Sequence, residues 1–572
     1  MTLSNKKVSS ILIGGKAGEG VKKAAQVIAK VLLKQSYHVF QADDYQSLIK
    51  GGHNFSTISF ATEPVYNAYN SADLLISFDK RSMETHWLDF SSSKSLHYYN
   101  DNDAKPDITN PPCTLIGYPL TALMKQIYSS PSNVSMAAIA LFFVWMECSE
   151  AELESTIKQE FRYGIEDNIR FAKAVYRMAL ADAHLISESK PGLQANQAQA
   201  NWRLTSGNQA IAMGAWLAGL DFYYGYPMTP ASSILHYLAL KMPSHKVYAI
   251  HAESELAVAN MAIGSVVAGA KTAIGSSGGG FALMQEAFSL AGMAEIPLLC
   301  ILVSRPGPAT GVSTYTAQED LPFALNQGHG DFTRIVAAPD SPERAFSLAA
   351  ELLSLAWEFQ NPVILLSDKH LSESSINAVF PLDVPFFQQT IPQQNKPYER
   401  YAVTDEGISP LLFPGSDFVD EDTVIKWNSH EHLPSGLRTD KAEPMIGMKD
   451  KRARKGSALN EATKHYQRIA IYGNSGTPVF AYGSSVLELR EAQKYCSKPF
   501  VIIALVYLLP FPSEELEQYA NSQIVVLEHS VNGNLATYLL QNMSLCIKHN
   551  ILRYDGRAYD PHELAALLEE VL

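Results

Sequence analysis

The chain has 572 residues, 47% hydrophobic and 18% charged. That is an ordinary globular balance, but the chain is too long for one core, so three or four domains are expected. A formal charge of −13 argues against a general nucleic-acid binder, whose phosphate contacts need a basic surface.

The five cysteines, Cys113, Cys148, Cys300, Cys496 and Cys546, are scattered and form no C-x-x-C pair. A disulfide framework or a cysteine-ligated cluster is therefore not expected, and a reducing compartment fits. The opening "MTLSNKKVSSILIGG" has no long apolar core of a leader peptide. The most apolar runs, "MAAIALFFVWM" (136–146) and "VIIALVYLLPF" (501–511), fall short of the roughly 20 residues that span a bilayer. They read as buried core, and the expectation is a soluble, cytoplasmic protein with no membrane and no nucleic-acid partner.

Three stretches alternate strand and helix, the pattern of α/β layers. The first fills 1–188. "VSSILIGG" reads as a strand ending in glycines. The helix "VKKAAQVIAKVLLKQ" follows, with Val21, Ala24, Ala25, Ile28, Val31 and Leu32 on one face. "STISFAT" and "DLLISFD" read as further strands. The polar segment 189–203 reads as a linker. The second stretch, 204–373, holds "FYYGYP", the helix "SELAVANMAIGSVVAGA", "KTAIGSSGGG" and the strands "PLLCILV" and "PVILLSD". Residues 374–465 read as an irregular connection, and their basic run "KDKRARKGS" reads as a solvated surface segment. The third stretch, 466–572, returns to strand and helix.

Several loops carry candidate chemistry. "GGKAGEG" (14–20) follows a strand and opens a helix. Amides exposed at such a turn suit an anion, and close helix–strand packing is the other reading. It is neither G-x-G-x-x-G nor a P-loop. "KGGHN" (50–54) is a second glycine pair, with Lys50 and His53 beside it. "GSSGGG" (275–280) ends a strand, and its three glycines admit a ligand or another backbone.

Glu253 and Glu255 precede an almost wholly apolar helix. They are either first-turn acids that stabilise a helix end or a proton-transfer group entering an apolar layer. Arg305, in "SRPGPATG" (304–311), follows a strand. It lies where open α/β sheets place ligands and suits a carboxylate or phosphate. In "GYPMTPAS" (225–232), Thr229 and Pro230 have the form of a helix N-cap and first helical residue.

"YPMTPAS", "ESELAVANMAIGSVVAGAKTAIGSSGGGFALM", "SRPGPATGVSTYTAQEDL" and "GHGDF" occur in this order. Together they resemble the alpha subunit of 2-oxoacid:ferredoxin oxidoreductases, specifically the 2-oxoglutarate type. "GGKAGEGVKKAAQVIAKVL" and "IKGGHN" resemble the family's gamma domain, fused here at the N-terminus. "YGSSVLELREA" and "VLEHSVNGNL" resemble its C-terminal domain.

The resemblance implies several α/β domains: a Rossmann-like gamma domain, a thiamine diphosphate pyrimidine-binding domain and a transketolase-C-like domain. It implies CoA-dependent oxidative decarboxylation of 2-oxoglutarate to succinyl-CoA and carbon dioxide, with reduction of ferredoxin or flavodoxin. The reverse direction would fix carbon dioxide. Pyruvate, branched-chain or arylpyruvate substrates are alternatives within the class, and a non-catalytic CoA- or nucleotide-binding scaffold is the alternative outside it.

Residue by residue, the resemblance assigns Glu255 to the aminopyrimidine of thiamine diphosphate, where it favours the imino tautomer that takes the thiazolium C2 proton. Gly278, Gly279, Gly280, Tyr226 and Pro227 would line the cofactor. Thr229, Arg305 and Thr310 would contact the 2-oxoacid, with Arg305 on its carboxylate. Gly15, Lys16, Gly18, Lys50, Gly51, Gly52 and His53 would lie in the domain associated with coenzyme A.

Met228 replaces the family's Ile, Lys50 its Arg, and "SSGGG" its Ser-Gly-Pro-Gly. Gly330-Asp331-Phe332 lacks the second glycine of the diphosphate motif, and no metal site is assigned to this chain. The resemblance therefore implies a beta subunit that brings the diphosphate site, Mg²⁺ and a 4Fe–4S cluster, with two alpha–beta pairs around a two-fold.

Overall fold

The computed structural model describes residues 8–45, 52–104, 111–128, 134–186, 189–191, 193, 201–381, 383–388, 398–415 and 423–572. Lys50, Gly51 and most of the expected linker lie outside these. The chain forms two compact units.

The first unit comprises Met1–Thr205 with Ser374–Val379 and Asp560–Glu563. Its eight-stranded sheet runs Thr114–Tyr118, Leu96–Asn100, Leu74–Ser77, Ser9–Lys16, His53–Ala61, His38–Tyr45, Ser375–Ala378, Arg203–Ser206. The first four strands are parallel. The next pairings, from Ser9–Lys16 through His53–Ala61 and His38–Tyr45 to Ser375–Ala378, are antiparallel. The six positions expected on one face of the helix Val21–Lys34 are all buried. The apolar run near 136 forms the helix Ser135–Trp145, buried at every position, as its lack of a polar face requires.

The second unit comprises Ser206–Glu373, Phe380–Tyr559 and Leu564–Leu572. A seven-stranded sheet runs Tyr507–Leu509, Ile335–Ala337, Pro362–Asp368, Leu298–Ser304, Thr272–Ser276, Phe222–Gly225, Tyr248–His251. All its pairings are parallel except that of the edge strand Tyr507–Leu509. The near-continuous apolar strands are those of a sheet covered on both faces. A five-stranded sheet, Ile469–Tyr472, Phe500–Leu505, Thr477–Ala481, Gln523–Glu528, Cys546–Leu552, forms the C-terminal part. Among the described residues, no helix is long and apolar enough to cross a membrane.

The basic run near 450 departs from its expected solvated state. It lies in the 22-residue helix Ala442–Thr463. Lys451 and Lys455, one turn apart, are buried and donate to Glu295 at 2.7 and 2.8 Å. Buried Arg400 donates to the Glu295 carbonyl at 2.8 Å and to Gln360 Oε1 at 2.9 Å, with its guanidinium 3.9 Å from the Trp427 ring. Sequence alone does not show this because the partner is remote: Glu295 lies 156 residues before Lys451. Burial alone pushes the Glu295 carboxyl up, but Lys455, Lys451 and Arg400 override it and hold it well below the usual carboxylate range.

Glu295→Gln leaves two buried ammonium groups without their carboxylate, so the second unit should lose about 3–5 kcal/mol of stability in denaturant unfolding. In the wild type the folded carboxyl titrates below its unfolded value. Its stabilisation is therefore complete above the ordinary carboxyl value of 4.5 and decays as pH falls below it. The variant should lack this acid-dependent component.

Candidate active site

The strands of the seven-stranded sheet other than Tyr507–Leu509 are parallel, so their carboxyl ends collect at one edge, where open α/β sheets hold ligands. Thr272–Ser276 ends there and turns through Ser277 into the short helix Gly278–Leu283. The three glycines are thus the first turn of a helix rather than a free loop. Leu298–Ser304 ends beside it and presents Arg305. Phe222–Gly225 ends there too and leads into Tyr226–Pro230.

Glu255 is the first residue of the helix Glu255–Val267, capped by Ser254, whose Oγ accepts from the Ala257 amide. Glu253 lies before the cap and is exposed, whereas Glu255 is 4% exposed. Only Glu255 enters the apolar layer. Its Oε1 is buried and has no hydrogen-bond partner. Gly280 helps the carboxylate fit: a Cβ there would stand 2.1 Å from Ser276 Oγ, 2.7 Å from Glu255 Oε1 and 2.8 Å from its Cγ. Glycine is the residue that admits this approach. Gly278 does the same on the opposite flank, where a Cβ would meet Asp320 Oδ1 at 2.5 Å. Gly279 faces open space apart from the Ala309 carbonyl at 3.6 Å.

Arg305 is half-buried and donates from Nη1 to the Thr229 carbonyl at 2.6 Å. This corrects the helix-start reading of Thr229-Pro230. An N-cap carbonyl accepts the first intrahelical bond, but the Thr229 carbonyl is engaged by Arg305, and the Pro230 carbonyl accepts from Asn208 Nδ2 at 2.8 Å. The helix begins later, at Ser232. Met228 lies against Ser276, whose Oγ points to its Sδ at 3.9 Å. Tyr226 and Pro227 are exposed beside this loop, and Thr310 is exposed on the loop after Arg305.

Asp320 was missed by sequence reading. It precedes the turn Leu321–Leu325, and its Oδ2 accepts from Ser304 Oγ at 2.8 Å. Burial pushes its carboxyl up to about 6, with Ser304 and Arg305 opposing and Glu319 adding to the rise. The available signal was an Asp followed by Leu-Pro, a helix-start pattern, which gives no sign of the neighbours that the sheet brings to it.

In the first unit the two glycine loops meet. Lys16 pairs with His53 across the sheet, and the Ala17 amide donates to the Gly52 carbonyl at 2.7 Å. Gly15 lies next to Lys16, whose amide donates to Glu19 Oε2 at 2.8 Å, and Gly18 has a φ of 94°. His53 Nε2 lies 2.7 Å from His86 Nε2, and both rings are buried. His86 was not anticipated, because it sits on the helix Lys80–Phe90, which no motif marked. Burial, then His53 and His97, pushes His86 down to about 3, so it is neutral at physiological pH.

The orphaned Glu255 oxygen and the glycine turn packed on it fit an aminopyrimidine: a carboxylate to pair with a ring N–H, and a flat cradle for the ring. Fold and site define a cofactor-binding α/β subunit. A family model described as pyruvate flavodoxin/ferredoxin oxidoreductase, thiamine diphosphate-binding, matches residues 213–435. One described as pyruvate ferredoxin/flavodoxin oxidoreductase matches 10–178. The 2-oxoacid:ferredoxin oxidoreductase subunit alpha of Sulfolobus sp. is 27% identical over 98% of this chain and 97% of its own. The 2-oxoglutarate synthase subunit KorA of Archaeoglobus fulgidus is 28% identical over 64% of this chain and 98% of its own.

A solved 2-oxoglutarate:ferredoxin oxidoreductase from Magnetococcus marinus, with 2-oxoglutarate, coenzyme A and succinyl-CoA bound, shares the fold. Its TM-score is 0.88, over 99% of this chain and 100% of that one, at 24% identity. The chain belongs to the 2-oxoacid:ferredoxin oxidoreductase alpha-subunit family, as its motifs led us to expect. It is the alpha subunit of a thiamine diphosphate-dependent enzyme of that class.

Gly280→Ala should displace the Glu255 side chain and lower cofactor-dependent turnover by at least about tenfold. Overpacking should also cost about 1–3 kcal/mol of stability. Gly279→Ala, with open space for its Cβ, should leave the melting temperature unchanged or slightly raised. Equal losses of stability in the two variants would contradict this picture of the turn.

Proposed function

We propose that the chain serves the CoA-dependent oxidative decarboxylation of 2-oxoglutarate to succinyl-CoA and carbon dioxide, passing electrons to ferredoxin or flavodoxin. The observation that carries the catalytic part is the buried Glu255 carboxylate, unpartnered at Oε1 and seated on Gly280. Thiamine diphosphate held by these residues would supply the nucleophilic carbon chemistry that a 2-oxo group requires. Glu255 would hold the aminopyrimidine proton at its Oε1, and Gly278 to Gly280 with Tyr226 and Pro227 would line the ring. Arg305 would pair with the substrate carboxylate. Nη1 is spent on Thr229, and no other bond fixes the rest of the fork among the described residues. The helix start beyond Thr229 adds a favourable field for an anion, with Thr229 and Thr310 as its polar neighbours. The 2-oxoglutarate assignment is supported by the KorA relative. The reverse, carbon-fixing direction is open to the same site.

A partner subunit would complete the site. Leu256 and Met261 on the helix that Glu255 opens, and Leu283 on the helix Gly278–Leu283, are exposed apolar residues, which suits an interface. That beta subunit would bring the diphosphate site, Mg²⁺ and the 4Fe–4S cluster, in an assembly of two alpha–beta pairs. The joined loops at Gly15–Gly18 and Gly52–His53 make the first unit the candidate coenzyme A domain.

Co-expression with the partner should give CoA-dependent dye reduction. The substrate is read from a panel of 2-oxoglutarate, pyruvate, 2-oxoisovalerate and an arylpyruvate. Highest kcat/KM on another acid would overturn the 2-oxoglutarate assignment alone. Glu255→Gln should lower kcat by about 10²–10⁴-fold, the range of a positioned proton-transfer group. Arg305→Ala should raise KM for the 2-oxoacid by about 10–100-fold, the worth of a charged hydrogen bond. Wild-type kinetics in either variant would remove its assigned role.

Thr229→Ala should impair substrate use while shifting stability by no more than about 0.5 kcal/mol, since Thr229 caps no helix. Chemical denaturation alongside the kinetics separates the two effects.

A further inference from the structure

The segment Gln318–Asp320 is tied to the Arg305 loop at two points. Asp320 Oδ2 accepts from Ser304 Oγ at 2.8 Å, and Glu319 Oε2 accepts from the Gly307 amide at 2.9 Å. The residues on either side of Arg305 and Pro306 are therefore each fixed by one of two neighbouring acids. The segment itself is immobilised from the C-terminal part of the unit. Gln318 Oε1 accepts from Ser485 Oγ at 2.9 Å and from the His529 amide at 3.1 Å, and its Nε2 donates to the Tyr482 carbonyl at 2.8 Å. Asp320 thus cannot swing away from the guanidinium when charge at the site changes. The turn at Gly278 lies close to its other oxygen, since a Cβ added there would stand 2.5 Å from Oδ1.

This arrangement poses an electrostatic problem, on the reading that Arg305 takes the substrate carboxylate. A second anion entering beside Arg305 meets a carboxylate that is already there. The charged and titratable groups facing Asp320 are Arg305 from the strand-end loop, Glu319 beside it, and buried Tyr482 from the C-terminal part. Arg305 is the one cation among them, so its field is shared between Asp320 and any incoming carboxylate.

We propose that Asp320 is a positioning residue that couples 2-oxoacid binding to proton uptake. In the free site, ionised Asp320 lies in the field of Arg305. When a substrate carboxylate engages the guanidinium, Asp320 takes one proton from solvent and becomes neutral, which removes the repulsion. No bond to carbon is involved, and the proton returns to solvent when the carboxylate leaves as carbon dioxide. The direction of the Asp320 shift agrees, since burial already lifts its carboxyl to about 6 before a second anion arrives. By linkage, what binding does to the proton the proton does to binding. Substrate affinity is then full where Asp320 is protonated and falls as pH rises above its free-site value.

The test uses the complex with its partner subunit and the panel acid of highest kcat/KM. KM should rise with pH above about 6, by up to about tenfold per pH unit, while kcat changes less. Asp320→Asn should flatten the KM profile. Ser304→Ala removes a bond that favours the ionised form, so it should move the break to higher pH. That shift keeps the test open if the Asn variant does not fold. A flat wild-type profile, an unaltered slope in Asp320→Asn, or an unmoved break in Ser304→Ala would overturn the proposal. Arg305→Ala separates the two layers. If KM does not respond to it, the carboxylate reading of Arg305 fails. If KM rises while the wild-type profile is flat, only the role of Asp320 fails.

Discussion

A buried carboxylate with one oxygen left without a partner is the constraint around which the second unit is arranged. Burying an ionisable group without full hydrogen bonding is costly, and Glu255 sits almost wholly out of solvent in that condition. Two features make it tolerable. It occupies the first turn of a helix, where the dipole favours negative charge. The Gly280 position also offers no Cβ, so the side chain reaches the pocket without displacing backbone. A parallel sheet supplies both features from one topology, because each strand's carboxyl end feeds a helix start at the same edge. Glu255, Gly278 and Arg305 come from three different crossings and still converge.

The C-terminal part holds none of the residues that touch cofactor or substrate in this reading, yet it controls them. Gln318 uses every polar group it has: its amide donates to the His529 carbonyl at 2.7 Å and its carbonyl accepts from Tyr482 OH at 3.0 Å. Its side-chain bonds to Ser485, His529 and Tyr482 fill the remainder. Saturating one buried amide in this way fixes a segment more firmly than apolar contact, since any shift strands several polar groups at once. The edge strand Tyr507–Leu509, which joins the seven-stranded sheet, makes the two parts one body in the same sense. Substitutions far from Glu255 in the 480s and near 529 therefore reach the site through geometry.

Much of this was legible in the sequence, and the reasons are specific. Strand-then-helix periodicity marked the α/β layers, and the position of Arg305 after an apolar strand placed it at the ligand edge. Burial of the two acids was not legible: Glu253 and Glu255 have the same local pattern, and a shift of two residues separates the exposed one from the buried one. The basic run near 450 was misread because a charge block looks solvated unless its partner is known, and Glu295 gives no local sign of being that partner. Thr229-Pro230 had every local feature of a helix start, yet Arg305 took the carbonyl that would have begun the helix. His86 and Asp320 escaped notice for the same reason. Their chemistry comes from neighbours brought in by the sheet, and no spacing in the chain announces it.

Arg305 and Asp320 also bear on how one scaffold serves different 2-oxoacids. The carboxylate next to the oxo group is common to all of them, so the groups that bind it need not change with the side chain. On the proposed reading those groups come from the sheet edge and are fixed from the C-terminal part, and Leu256 and Leu283 remain exposed. A partner seated on those apolar residues would wall the side-chain end of the substrate. Recognition of the reacting end and selection among acids would then lie on different polypeptides.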